Sequence, residues 1–172
     1  MLVNREGWHI DSKINTDLVE YCNKLDGTWD EQYALGYARK KGYNIHRALK
    51  LKLGLDSHKL VSDFHHERFK TFKVDNYTIN GAYLLHYNTG SFTGLHHDNA
   101  EESHKTSITL IDKSEDLVGG QSIIINHMGA PVIPEHQVGQ TLWYDQEIVH
   151  GVTRVEKGHR KVLVTWWKNK DK

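Results

Sequence analysis

Hydrophobic residues follow two different rhythms along this chain. Ile14, Leu18, Tyr21, Cys22 and Leu25 recur at helical spacing and Gly27 follows as a stop, which predicts an amphipathic helix over residues 12–26. Asp11 or Ser12 is the expected N-cap, since a short oxygen side chain can accept from the first free amide groups. Residues 57–69 predict a second helix, with Leu60, Val61, Phe64 and Phe69 inward and His58, His66 and Arg68 outward. His65 and His66 read as part of a solvated helix face. Between the two helices Leu49, Leu51, Leu53 and Leu55 alternate, but Gly54 interrupts them, so strand and irregular loop both stay open. Trp29 to Tyr43 has no clean period, and its Arg39-Lys40-Lys41 run reads as a solvated face.

From Phe72 the rhythm changes to short runs rich in β-branched and aromatic residues. They are 72–79, 81–87, 106–111, 121–125, 140–144, 149–155 and 160–167, each bounded by Gly, Asn, Asp or Pro. Many short strands at close spacing point to a sandwich or barrel. The expected fold class is mainly β with N-terminal helices (α+β). At 172 residues the chain reads as one domain, 1–172, with 1–71 as helical support and 72–172 as the β core.

Composition narrows the function classes. Lys and Arg total 22 and Asp and Glu total 22, a balance that lacks the basic footprint of a nucleic-acid binder. The single cysteine, Cys22, lies on the first helical stripe and reads as a core thiol; it can form no internal disulfide. Met1 to Ile10 is polar and broken by Arg5, Glu6 and His9, so neither a leader nor a membrane span is expected, and a cytoplasmic location follows.

The candidate chemistry lies in Tyr87-Asn-Thr-Gly90-Ser-Phe92-Thr-Gly94-Leu-His96-His97-Asp98. On an extended segment His96 and Asp98 project to the same side and His97 to the other. Imidazole plus carboxylate is two-thirds of the 2-His-1-carboxylate set that holds Fe(II) with open positions, and His150 in Glu147-Ile-Val-His150 is the candidate third ligand. Arg160 opens the last strand with a guanidinium suited to a two-pronged carboxylate pair. Spacing alone is weak support: His9-Ile10-Asp11 and His65-His66-Glu67 carry similar patterns by chance in a chain with 13 histidines. The ordered set Tyr87, Gly90, His96, Asp98, Gly119-Gly120, His150 and Arg160 is far more specific. Over roughly residues 80–168 it resembles the iron(II)- and 2-oxoglutarate-dependent dioxygenases, most of all their prolyl 4-hydroxylase-like branch.

That resemblance implies a double-stranded β-helix (jelly-roll) core braced by two or three helices. It implies a metal site of His96, Asp98 and His150, with Fe(II), 2-oxoglutarate as co-substrate and O2, and ascorbate as a candidate further cofactor. The implied reaction is hydroxylation of a C–H bond, of a prolyl residue in a peptide or protein, with release of succinate and CO2. Hydroxylation of a free amino acid or other small metabolite is the alternative enzyme reading. A metal-binding β-barrel module without catalysis is the non-enzyme reading, and neither nucleic acid nor membrane is an expected partner.

Arg160 is the implied anchor for the far carboxylate of the co-substrate, with Lys161 on the opposite face of the strand and Val162, Val164 and Trp166 on the same one. Tyr87, Ile108, Leu110 and Trp166 are further candidates for the co-substrate pocket, although the register of 106–111 toward it is open. Arg154 stands where many prolyl hydroxylases have Pro and reads as a surface or substrate-facing residue. His104, His127, His136 and His159 read as surface residues, and 28–56 and 99–105 as lid or substrate-contact segments.

Overall fold

The computed structural model describes residues 7–32, 46–72, 76–98, 101 and 103–171. In chain order the elements are β1 (Trp8–Asp11), α1 (Thr16–Asn23), β2 (Asp30–Gln32), β3 (His46–Lys52), α2 (Leu55–Phe72), β4 (Tyr77–Tyr87) and β5 (Phe92–His96). There follow β6 (Lys105–Lys113), β7 (Ser122–Ile125), β8 (Pro131–Val132), β9 (Thr141–Asp145), β10 (His150–Val152) and β11 (Arg160–Asn169).

Every strand pairing is antiparallel, in the order β1-β9-β6-β11-β4-β3-β5-β10-β7-β8, with β2 on β3. The sheet curls on itself through β3. His46 and Arg47 pair with Thr93 and Phe92 of β5, whereas Leu49 to Lys52 pair with β4. One strand thus belongs to both walls of a half-closed barrel. The helices are two among the described residues, and they alternate with β1–β3 instead of preceding the sheet as a block. None of them is long and apolar enough to cross a membrane.

Strand alternation sorts side chains onto two apolar clusters. Leu85 and Tyr87 of β4, Ile108 and Leu110 of β6, and Val162 and Val164 of β11 join Ile124, Leu142, Tyr144 and Val152 inside the curl. Ala82 and Leu84, Ile111 and Leu163 face outward, where they meet Leu18 and Cys22 of α1, Val61 of α2, and Leu51 and Leu53. Each fully buried Leu or Val there contributes about 1.5–3 kcal/mol relative to exposure. Both faces of β6 are covered, which is why 106–111 reads as a continuous buried run with no visible register.

Several local expectations are corrected by the packing. Asn15, not Asp11 or Ser12, caps α1 by accepting from Leu18 N at 3.1 Å. The helix ends at Asn23, before Gly27, and Ile14 is 47% exposed because it lies ahead of the first turn. Asp11 is instead buried under a fork from Arg68, whose Nε and Nη2 donate to Oδ2 and Oδ1 at 2.6 and 2.7 Å. On α2, Val61 is fully buried while Leu60 is 43% exposed. His65 is not solvated: it lies at 2% exposure edge-on to Trp143 and Trp167, at 5.4 and 5.8 Å between ring centroids. The alternating Leu49–Leu55 stretch resolves into β3 followed directly by α2, and Phe72 belongs to that helix and not to a strand. The Arg39-Lys40-Lys41 run lies outside the described residues.

Candidate active site

The last residue of β5 and the first of β10 lie opposite each other, so His96 and His150 are direct cross-strand partners. Their imidazole centroids are 4.3 Å apart. Glycine allows this approach: a Cβ on Gly151 would lie 2.6 Å from the Thr93 carbonyl oxygen, a backbone atom that cannot move aside. Asp98, two residues past the end of β5, brings Oδ1 to 3.4 Å from His150 Nε2 and 3.7 Å from His96 Nε2. The three candidate ligand atoms all lie within 4.8 Å of one another.

Hydrogen bonds fix which atoms face the centre. Nδ1–H of His96 donates to the Gly94 carbonyl and Nδ1–H of His150 to the Ile148 carbonyl, each at 2.8 Å. A carbonyl only accepts, so the proton stays on Nδ1 and each Nε2 presents a lone pair. The Thr106 hydroxyl donates to Asp98 Oδ2 at 2.5 Å, which leaves Oδ1 to the centre. Tyr144 donates its phenol to His150 Nε2 at 2.9 Å.

Burial lowers the pKa of His96, and neighbouring His150 lowers it further, so the ring is held neutral. Burial alone would raise Asp98, but the neighbouring His150 and the hydrogen bond from Thr106 outweigh it and the carboxyl is net lowered, hence ionised. Burial and the Asp98 charge push the Tyr144 phenol well above its usual range. Two imidazole Nε2 atoms and one carboxylate oxygen are the donor set of a divalent transition-metal site with open positions, and the residues present fit such an ion.

The centre opens on a cavity of about 430 Å³ that runs along the inner face of β11. Arg160, Val162, Val164 and Trp166 line it in sequence, while Lys161 turns to the other face. Arg160 is 3% exposed and donates Nη2 to Ser122 Oγ at 2.7 Å, with no carboxylate partner among the described residues. Burial draws its pKa down to about 10. A buried guanidinium without an anion is costly unless a ligand supplies one.

Tyr87, Ile108 and Trp166 line this cavity as well. Tyr87 shares Thr93 Oγ1 with His46, at 2.8 and 2.7 Å. Leu110 does not line it. It packs in the same apolar cluster but borders a second depression, which Arg160 also lines. Gly119 and Gly120 lead into β7 with positive φ, and a Cβ on Gly119 would meet the Arg154 carbonyl oxygen at 2.0 Å. Arg154 is exposed, over the Phe92 ring at 4.5 Å. His97 and His127 are exposed, whereas His104 and His159 are half-buried and His159 pairs with Asp112 at 3.1 Å. His136 is turned inward onto the Gln140 carbonyl at 2.7 Å, and burial depresses its pKa to about 4. Of the segment 99–105, residues 99, 100 and 102 lie outside the described residues, as do 33–45 of 28–56.

Tyr144, Thr93, Ser122, His46 and Lys50 were not legible as site residues from sequence. Tyr144 shares the inward alternation of Leu142, which a core tyrosine would also show.

No family model and no curated protein matches the sequence, but solved structures share its architecture. An oxidoreductase of the 2OG-Fe(II) oxygenase family from Burkholderia pseudomallei superposes with TM-score 0.74 at 14% identity, over 96% of this chain and 87% of that one. A prolyl-4-hydroxylase from Pseudomonas putida gives 0.70 at 15%, over 96% and 94%. A prolyl hydroxylase from Trichoplax adhaerens, in complex with a hypoxia inducible factor oxygen degradation domain peptide fragment, gives 0.67 at 14%, over 95% and 84%. The chain has the fold of the 2OG-Fe(II) oxygenases. At these identities the fold is what is shared.

Proposed function

We propose that this protein is an Fe(II)- and 2-oxoglutarate-dependent dioxygenase that hydroxylates a C–H bond, its substrate a prolyl residue of a peptide or protein. The observation that carries the reading is one cavity with two features: a two-histidine, one-carboxylate donor set and a buried arginine with no carboxylate partner among the described residues. The whole chain serves as one domain, a double-stranded β-helix whose core, 72–172, bears the site and whose first part, 1–71, braces it.

His96, Asp98 and His150 would hold the metal through two Nε2 atoms and Oδ1. With Asp98 Oδ2 engaged by Thr106, the carboxylate offers one oxygen, so three residues supply three ligands and the remaining positions stay open. Bound there, iron with 2-oxoglutarate and dioxygen supplies an oxidative decarboxylation, yielding succinate and CO2, that delivers oxygen to the substrate. Arg160 receives the far carboxylate of the co-substrate, and Ser122 orients the guanidinium. Val162, Val164 and Ile108 enclose its methylenes and exclude water. Tyr87 and Trp166 complete the wall. The prolyl assignment draws on the prolyl hydroxylases among the structural neighbours.

Anaerobic addition of Fe(II) and 2-oxoglutarate tests the reading through the weak visible charge-transfer band of the bidentate chelate. The band is expected in the parent and absent in His96→Ala. In Arg160→Met it should need roughly tenfold or more additional 2-oxoglutarate, the cost of a lost charge-assisted pair. No band in the folded parent at saturating ligand would overturn the assignment.

A further inference from the structure

The inner face of β3 carries a lysine where an apolar residue would be expected. His46 and Lys50 line the cavity, and Ala48 between them packs in the inner cluster. The Lys50 ammonium lies over Tyr83, with Nζ 4.3 Å from the ring centroid. Tyr83 in turn meets Trp166 edge-on, at 5.3 Å and 86°. Trp166 pairs in register with Thr106, the residue that holds Asp98. Lys50 is level with Val162 through Leu85 and leans from there toward this aromatic corner, whose Trp166 lies at the metal end of β11. Arg160 lies six residues earlier on the same face, about 20 Å away along an extended strand.

Two cationic side chains, Lys50 and Arg160, thus face one cavity at different levels among its described lining residues. In the dioxygenase reading the co-substrate has two carboxylates, one met by Arg160 and one by the metal. Both are accounted for without Lys50. An ammonium held over an aromatic face keeps a restricted position, which favours recognition of a fixed anionic group.

We propose that Lys50 determines substrate choice by binding a carboxylate of the substrate, while Tyr83 and Trp166 pack the apolar ring or chain offered to the metal. This rests on the dioxygenase reading and adds a substrate class to it: the preferred substrate is an anion. The carboxylate is either the α-carboxylate of a free amino acid or an acidic side chain next to the target residue of a peptide.

The test uses the full chain with Fe(II) and 2-oxoglutarate and reads succinate formed above the substrate-free rate. Two matched pairs are compared: L-proline with L-prolinamide, and a proline-containing peptide bearing Asp beside the proline with its Asn counterpart. In the parent, the carboxylate member of one pair is expected to lead by roughly ten- to a hundredfold in kcat/KM, the scale of a charge-assisted hydrogen bond. The pair that discriminates identifies the source of the carboxylate. Lys50→Met, which keeps an unbranched apolar stem and removes the charge, should erase the preference, and Lys50→Arg should restore part of it. A preference that persists in Lys50→Met, equal use within both pairs, or no response to any of the four overturns the proposal. The chelate band separates the two layers: a parent without it fails as a dioxygenase and takes this inference with it, whereas a band without charge discrimination removes Lys50 alone.

Discussion

Trp166 and Trp167 are neighbours on β11 with different surroundings. Trp166 faces the cavity, half-buried, edge-on to Tyr83. Trp167 is 1% exposed on the other face, tilted against Trp143 at 5.7 Å, with its indole N–H donating to Ser107 at 2.9 Å. The same division runs through the molecule. On the helix-backed face Thr109 bonds Thr141 at 2.8 Å, and Asp11 takes the fork from Arg68. On the cavity face the metal-facing atoms and the Arg160 guanidinium are aimed at a common space, and Arg160 has no carboxylate partner among the described residues. A strand buried on both sides can place stability on one set of alternate residues and chemistry on the other.

Truncation should separate the two faces most sharply. Trp167→Ala is expected to lower folding stability by about 3–5 kcal/mol, as for large buried aromatics, with activity per folded molecule retained. Trp166→Ala should cost less than half as much in denaturant melts and yet impair turnover. Equal destabilisation by the two would break the comparison.

Acid should act through the packed face next. Burial holds the His65 pKa at about 4, with Asp11 opposing the shift. The unfolded chain, near 6.5, takes up the proton first, so this contribution is fully present above pH 6.5 and is lost as pH falls from there toward 4. The expected slope is about 1.4 kcal/mol per pH unit within that window, with His136 adding a similar one. His65→Phe should remove the His65 part; an unchanged slope of stability against pH would show that the ring is not buried neutral.

The smallest effect should come from Tyr144→Phe on the cavity side. The ring stays packed and one phenol is removed from His150 Nε2, so stability should move by under about 1 kcal/mol. Co(II) affinity, followed by its visible bands, should shift by less than about tenfold, since the three ligands remain. A larger loss would make the phenol part of the metal site.

The metal centre was legible because its chemistry demands rare residue types in a fixed order: His96, Asp98, His150 and Arg160 stand out against the similar but unrelated His9-Ile10-Asp11. What escaped was whatever depends on which face is covered. Leu49-Lys50-Leu51-Lys52 alternates like a strand with its lysines in water. The structure turns Leu51 toward the helices and Lys50 into the cavity, because β3 has both faces occupied. His65 failed for the same reason: a polar residue on a helix looks solvated until two tryptophans from distant strands close over it. Helix ends were set by Asn15 and by the start of α2 directly after β3, details that periodicity does not carry.

Each metal-facing histidine takes its orientation from a carbonyl two residues back in its own chain. The rings are therefore aimed by local backbone and not by the ion. Such a centre behaves as a socket: the ion arrives after the architecture, and its removal should leave the architecture standing. Loading would then raise thermal stability only by mass action, in proportion to the logarithm of free metal, unlike small zinc modules that acquire their fold from the ion. Iron in this protein would be exchangeable equipment, open to replacement by whichever divalent ion the surroundings supply in excess.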